Sequence, residues 1–319
     1  MTNTPIDLDL DLSGLSQNDW LGRLDELGDE HGYFEQLGSK HFALYVGAGP
    51  NLLVTFETVE SAQQNPGGRP RGFDLATLNG WSHLTLLCKG YTWFRDPAVY
   101  KFFDQLTDNG TFESAQSVLF YGTGSAGYAA AAFSVAAPGA RVLAIRPQAT
   151  LDPAQAGWDK RFAEYRRLDF NSRYGYAPEM LDAADHAFVL CDPGFTPDAI
   201  HAALFRRSNV TQLRCSLVGQ RPEVALDAMQ ITEPLVEQAM AGTLGLASFG
   251  QLWRARQSNN NYLRGLVKRV ELAGRNSLVR RICTKGLATR DAAFYRRKLV
   301  ELDAADTADT APKAVSAAE

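Results

Sequence analysis

Apolar and polar positions fall into distinct blocks along this chain, and the clearest block spans residues 117–153. An apolar run at 118–121 meets a glycine-rich turn, Gly122-Thr-Gly-Ser-Ala-Gly127. An alanine-rich, helix-favouring run over 128–137 follows, Pro138-Gly139 stops it, and a second apolar run occupies 141–145. The pattern predicts strand, tight turn, helix, strand: a βαβ unit, and with it a parallel sheet. The alanines let the helix lie close on the sheet, and the glycines turn the backbone without a Cβ clash.

The same reading extends to both sides. Residues 1–14 alternate Asp and Leu (Asp7-Leu-Asp-Leu-Asp-Leu12), a pattern for an edge strand or a loose segment. Residues 20–37 read as an acidic amphipathic helix with Trp20, Leu24, Leu27 and Phe34 as its apolar positions. Apolar runs at 41–46 and 52–56 flank Gly47-Ala-Gly-Pro-Asn51 and predict a hairpin. Residues 61–71 read as a loop, 83–88 as a strand, and Pro97 opens a helix through 106. Residues 152–181 read as mostly helical and carry many aromatics. A strand at 186–191 ends in Asp192-Pro193, a helix covers 197–205, and a strand at 210–217 ends at Gly219-Gln220-Arg221, before a helix at 222–229.

Past Ile231 the strand signals stop, and helices are predicted at 235–241, 246–270 and 278–302. Residues 303–319 have no periodicity and predict a disordered tail. Four segments result: an acidic N-terminal segment (1–37), an α/β domain (38–230), a basic helical region (231–302) and the tail (303–319). The expected fold is α/β, a mostly parallel twisted sheet with a helical C-terminal extension.

Composition narrows the classes. At 319 residues and 45% apolar, the chain can bury a sizeable core. The net charge of −4 is unevenly spread: residues 1–35 hold nine carboxylates and one base, Arg23, whereas 251–298 hold thirteen Lys and Arg against Glu271 and Asp291. That basic stretch suits an acidic partner, a solvated face or the acidic N-terminal segment itself. Its aromatics (Trp253, Tyr262, Phe294, Tyr295) are too sparse to favour nucleic acid. No apolar run reaches the roughly 18 residues of a membrane span, and the acidic N-terminus does not read as a signal peptide. Cys88, Cys191, Cys215 and Cys283 are far apart with no CxxC pair, so a reduced cytoplasm is expected. His31, His41, His83 and His186 lack metal-ligand spacing, and neither metal nor cofactor is expected.

The turn at 122–127 is where the chemistry would sit. Here the chain resembles the α/β-hydrolase superfamily, and more narrowly bacterial members whose elbow reads Tyr-Gly-Thr-Ser-Met-Gly-Gly-Tyr-Ala and whose next strand ends in Pro-Gln-x-Ser-Leu-Asp-Pro. This chain has Tyr121-Gly122-Thr123-Gly124-Ser125-Ala126-Gly127-Tyr128-Ala129, then Pro147-Gln148-Ala149-Thr150-Leu151-Asp152-Pro153. The resemblance covers about residues 40–230. It implies a nucleophile elbow, an acid after a later strand, here Asp192, and a histidine after the last strand. Such chains often bear the name of a phosphoadenosine phosphosulfate reductase. The residues do not support that chemistry: no SGGxDS loop is present, and Cys283-Thr-Lys-Gly is not a Cys-Gly-x-His motif.

Two of the three implied triad places differ. The nucleophile position aligns with Gly124, and the histidine position with Gln220, which cannot act as a general base near neutral pH. Three readings follow. In the preferred one the scaffold binds without cleaving. Its pocket is built from Gly122, Gly124, Ser125, Ala126, Gly127, Trp93, Arg146 and Gln220, and it takes a small molecule or acyl ligand. In the second, Ser125 acts as nucleophile from a shifted turn in ester or acyl chemistry, with His201 as base and Asp192 as acid. In the third, Gly122, Gly124 and Gly127 form a literal GxGxxG for NADP, with Arg146 toward its 2′-phosphate. Two roles are open for the aromatic stretch 158–176: a lid over the pocket, or a helix packed on the core.

Overall fold

Eight strands form one sheet in the order 1-2-4-3-5-6-7-8: β1 (Gly32–Leu37), β2 (His41–Val46), β3 (Asn51–Thr58), β4 (Ser82–Cys88), β5 (Ser117–Thr123), β6 (Arg141–Ile145), β7 (His186–Cys191) and β8 (Val210–Arg214). The computed structural model describes residues 10–288 and 292–310. β1 and β2 pair antiparallel, β2 and β4 antiparallel, and every other neighbour is parallel. The helices are α1 (Gln17–His31), α2 (Val59–Ala62), α3 (Phe73–Leu78), α4 (Pro97–Asp108), α5 (Ser125–Phe133), α6 (Pro153–Ala156), α7 (Ala177–Met180) and α8 (Thr196–Leu204). They continue as α9 (Pro222–Ala228), α10 (Thr232–Ala241), α11 (Leu246–Leu252), α12 (Asn260–Leu272), α13 (Asn276–Gly286) and α14 (Ala292–Thr310). This strand order, with its antiparallel edge and a helix springing from the central β5, is an α/β-hydrolase fold.

The central strands are apolar on both faces because helices cover both, as parallel sheets require. Val118, Phe120, Val142, Ala144 and Val189 face one layer; Leu119, Tyr121, Leu143, Ile145 and Leu190 face the other. α5 lies in the first layer. Ala129, Ala130, Ala131 and Ala132 are all fully buried, so the helix axis comes close to the sheet. An aromatic stack then fills the space out to α4, with Phe103 on Phe133 at 4.5 Å and Phe56 on Phe133 at 5.8 Å between ring centroids.

Several sequence-based expectations are corrected. The hairpin at 41–56 does not form, because β4 inserts between β2 and β3. β3 is buried along nearly its whole length and pairs on both edges, a central position that the local turn residues do not encode. Ser82 at the start of β4 holds the connecting loop, accepting from the Ala48 and Gly49 N–H groups and donating to the Gly49 carbonyl. The predicted helix at 20–37 ends at His31, and β1 follows. Tyr33 lies opposite Tyr45 with rings stacked at 5.3 Å, a cross-strand aromatic pair that favours a strand there. Of the Asp/Leu run, residues 7–9 lie outside the described residues. Leu12 is buried, and its N–H donates to the Gly67 carbonyl.

Residues 152–181 hold only the short α6 and α7 and two 3₁₀ turns, not a continuous helical segment. The predicted helix at 246–270 divides into α11 and α12, separated by a 3₁₀ turn. The one at 278–302 divides into α13 and α14. α14 continues to Thr310, so the predicted tail is helical over 303–310; residues 311–319 lie outside the described residues. α12 to α14 share a separate apolar cluster of Leu263, Val267, Val279, Cys283, Tyr295 and Leu302. The acidic α1 packs on β1 and β2, at the opposite edge of the sheet from β8, and does not dock on the basic helices.

The aromatic stack makes a direct prediction. Phe103→Ala should lower unfolding free energy by about 3–5 kcal/mol, the usual cost of emptying a fully buried ring site. Urea denaturation checks it, and a loss below about 1 kcal/mol would contradict this packing.

Candidate functional site

The candidate site begins where β5 becomes α5. Gly124 sits between them at φ +60°, ψ −121°, a backbone conformation that side-chain-bearing residues adopt only under strain. Its N–H donates to the Ile145 carbonyl at 2.9 Å, and its own carbonyl accepts from Tyr128 N–H at 2.9 Å to start the helix. At Gly122 a Cβ would stand 2.2 Å from the Ala126 carbonyl oxygen, so only glycine lets α5 fold back over the strand. The turn has the sharp strand-to-helix geometry of a nucleophile elbow, with Gly124 at its apex. Ser125 is the first residue of the helix, one place past the elbow. Gly122 and Gly127 shape the turn from beneath.

Above the elbow lies a cavity of about 400 Å³ at the C-terminal ends of β3, β5 and β6. Trp93, Gly124, Ser125, Ala126 and Arg146 line it, and Gly122 and Gly127 do not. Gln220 is exposed in the turn after β8; its neighbour Arg221 lines the cavity instead. Arg146 leaves the end of β6 at φ +44° and lays its guanidinium over the elbow. A Cβ at Gly124 would meet its Nη1 at 3.2 Å. Nε and Nη2 donate to the two oxygens of buried Glu223 at 2.9 and 3.0 Å, a bidentate pair that fixes the guanidinium plane. Thus the Arg146 guanidinium lies over the turn at Gly124.

The proposed catalytic trio does not assemble. His201 is fully buried, and both ring nitrogens are taken. Nδ1 accepts from Ala149 N–H at 3.2 Å, which leaves the proton on Nε2, donated to Asp159 at 3.2 Å. Burial pushes its pKa down to about 4, against the opposing pull of Asp159. Asp159, not Asp192, is the carboxylate that orients His201. Asp192 accepts from the Gly194, Val218 and Gly219 N–H groups at 2.8, 2.9 and 2.7 Å, tying the loop after β8 to the end of β7. Asp192 follows β7, and its carboxylate oxygens are taken up by these backbone N–H groups.

Two more arginines reach the cavity. Arg161 is held by Asp159 and Asp198, at 2.7 and 2.8 Å. Arg71, from the Gly/Pro-rich loop, has its nearest carboxylates, Glu57 and Asp227, both at 3.9 Å, beyond hydrogen-bond reach. Glu57 is buried and accepts from Arg71 N–H, Ser61 and Asn65. Burial raises its pKa even so.

The aromatic segment provides the other wall. Phe162 and Tyr165 contact Trp93, with ring centroids at 5.1 and 6.4 Å. Arg95 pins that segment by donating to the Asp169 and Arg173 carbonyls. The segment therefore both lines the cavity and packs on the core. Trp93, Phe94 and Arg146 all line this cavity with left-handed backbone, and such outliers collect at functional sites.

Sequence reading missed Arg71, Arg161, Asp159 and Glu223. Glu223 follows Pro222 in the first turn of α9, where an acid reads as a helix-dipole partner. Only the fold shows that it faces the end of β6.

No family model and no curated protein matches the chain. Among solved structures, the chain is similar to the glycosylation-associated Gap123 complex of Streptococcus agalactiae at 10% identity, covering 66% of this chain, with a TM-score of 0.45. The chain spans 46% of that chain's length. It is also similar to an esterase of Pyrobaculum calidifontis (12% identity, 73% of this chain and 95% of that one, TM-score 0.43). A third is the capsule O-acetyltransferase of Neisseria meningitidis serogroup A in complex with CoA, an H228A mutant (13%, 60% and 89%, TM-score 0.41). Among the described residues no helix is long and apolar enough to cross a membrane, and no group of three or more His, Cys, Asp or Glu could hold a metal ion.

The buried neutral His201 predicts a pH dependence. Its folded pKa, about 4, lies below the ordinary 6.5, so between those values the unfolded chain binds more protons. The His201 contribution to stability is therefore complete above pH 6.5 and is lost as pH falls toward 4, on the order of 3 kcal/mol across the window. His83 and His41 are lowered in the same direction by burial. Thermal melts from pH 4 to 7 should fall toward acid, and His201→Gln should show a shallower but not flat slope. An unchanged slope would contradict a buried neutral imidazole.

Proposed function

We propose that this chain binds a small molecule in the elbow cavity and does not cleave it. The observation that supports this most strongly is the Arg146 guanidinium lying over a Cβ-less elbow residue. A hydrolytic elbow needs a nucleophile there and an imidazole within reach of it. Here the elbow is glycine, and the hydrogen bonds of His201 run to Ala149 and Asp159. What remains at the elbow is the set of backbone N–H groups at the start of a nine-residue helix, a favourable place for an oxygen of a ligand.

The competing reading keeps Ser125 as a nucleophile in ester or acyl transfer. The half-exposed position of Ser125 on the cavity wall favours it. Against it, no imidazole lines the cavity. The dinucleotide reading is weaker still, because β5 is the fifth strand of the chain, whereas that fingerprint opens the first βαβ unit of its domain.

A second surface belongs to this proposal. Arg254, Lys268, Arg269, Arg275, Arg281 and Arg296 are exposed on and between the C-terminal helices and fit an acidic protein face. Trp253 and Tyr295 are buried, so they offer no stacking platform for bases.

Labelling with a fluorophosphonate near pH 8, wild type beside Ser125→Ala, tests the main reading. Neither protein should label. A signal in the wild type that disappears in the variant would establish an activated serine and replace the binding account with acyl chemistry.

A further inference from the structure

Arginine side chains in the elbow cavity are not equivalent. Arg161 is neutralised by two carboxylates at hydrogen-bond distance. Arg221 is largely exposed and stands 3.4 Å from Glu223. Arg146 is fixed by Glu223 through Nε and Nη2, which leaves Nη1 directed to the elbow. Arg71 is the exception in the opposite sense. Its side chain is 30% exposed, and both nearby carboxylates stand 3.9 Å away. It lines the elbow cavity and also a second cavity, of about 450 Å³, floored by Tyr121. Arg71 interacts with the Tyr121 hydroxyl, and among the described residues no carboxylate comes within hydrogen-bond distance of its guanidinium, so an oxyanion entering the cavity would be its closest counter-charge.

A second, independent observation points the same way. The indole N–H of Trp93 is buried with no hydrogen-bond partner among the described residues, and Trp93 is 1% exposed. Trp93 lines the same cavity. Buried donors are normally satisfied, so an unpaired one beside a cavity marks a place for a ligand acceptor. Tyr91, Phe162 and Tyr165 supply flat aromatic faces on that wall, beside Arg161 and Glu164.

We propose that the elbow cavity is an oxyanion site, in which Arg146 and Arg71 hold the carboxylate, phosphate or sulfate group of a small molecule over the N-terminus of α5. The aromatic remainder of the ligand lies along Phe162 and Tyr165, with an acceptor on it toward the Trp93 indole N–H. The proposal rests on the non-cleaving reading of the elbow and names the chemistry of its ligand. Gly124 is part of the site because a Cβ there would stand 3.2 Å from Arg146 Nη1, in the space the anion needs.

Titration calorimetry at low salt with phenyl phosphate, benzoate, inorganic phosphate and benzyl alcohol tests it. Either aromatic anion should bind at least tenfold more tightly than benzyl alcohol. The ratio of phenyl phosphate to benzoate separates a phosphate from a carboxylate site, and inorganic phosphate should bind more weakly than phenyl phosphate. Arg71→Gln and Gly124→Ala should each weaken the anion at least tenfold while melting as cooperative folded proteins. Equal affinity for the anions and benzyl alcohol, no binding by the folded wild type, or full affinity in both variants would overturn the site. Fluorophosphonate labelling of the same samples reports separately on Ser125. Anion binding lost in Arg71→Gln supports the site whether or not Ser125 labels.

Discussion

The Arg146–Glu223 ion pair joins the end of β6 to the first turn of α9, and the mouth of the sheet is arranged around it. Glu223 is buried, so it requires a cation; removing one member of such a pair typically costs about 3–5 kcal/mol because the other charge is left unpaired. Satisfying Glu223 sends the guanidinium across the top of β5, where Nη1 meets the elbow. Gly124 is then doubly constrained. Its backbone conformation disfavours a Cβ, and the space a Cβ would occupy is already bounded by Arg146. A side chain at Gly124 would need the Arg146 guanidinium to give way by a few tenths of an ångström.

Other polar groups at the mouth of the sheet are likewise bound within the fold. Asp192 follows β7, and three backbone N–H groups occupy its oxygens. His201 is locked between Ala149 and Asp159, and Asp159 also serves Arg161, so this cluster ties α8 to the segment after β6. These groups are buried and satisfied, which makes them supports of the cavity wall. Arg71 differs, since its nearest carboxylates stand 3.9 Å away and it interacts with the Tyr121 hydroxyl, and the Trp93 indole N–H has no hydrogen-bond partner among the described residues.

Much of the architecture was legible in the sequence, because periodicity and turn chemistry are local. β5, the elbow, α5 and β6 follow from apolar runs, glycines and alanines in a single stretch, and β7 with Asp192 from another. Pairing was less legible. Residues 41–56 carry hairpin signals, and only the insertion of β4 between the two strands shows otherwise. The aromatics at 158–176 looked helical by composition, but they serve the cavity and the core from irregular backbone. Within the site, Trp93 and Arg146 were visible because they follow strand ends. Arg71 and Glu223 were not, since each meets its partners only through contacts between distant parts of the chain.

The most direct measurement is a crystal structure of the wild-type protein soaked in selenate, with anomalous differences collected at the selenium edge. The account predicts an anomalous peak in the elbow cavity, within hydrogen-bond distance of Arg146 Nη1 and Arg71 and above the Ser125 N–H, with Glu223 still paired to Arg146. A cavity without selenate, or an Arg146 turned away from Gly124 with the imidazole of His201 brought to Ser125, would contradict it.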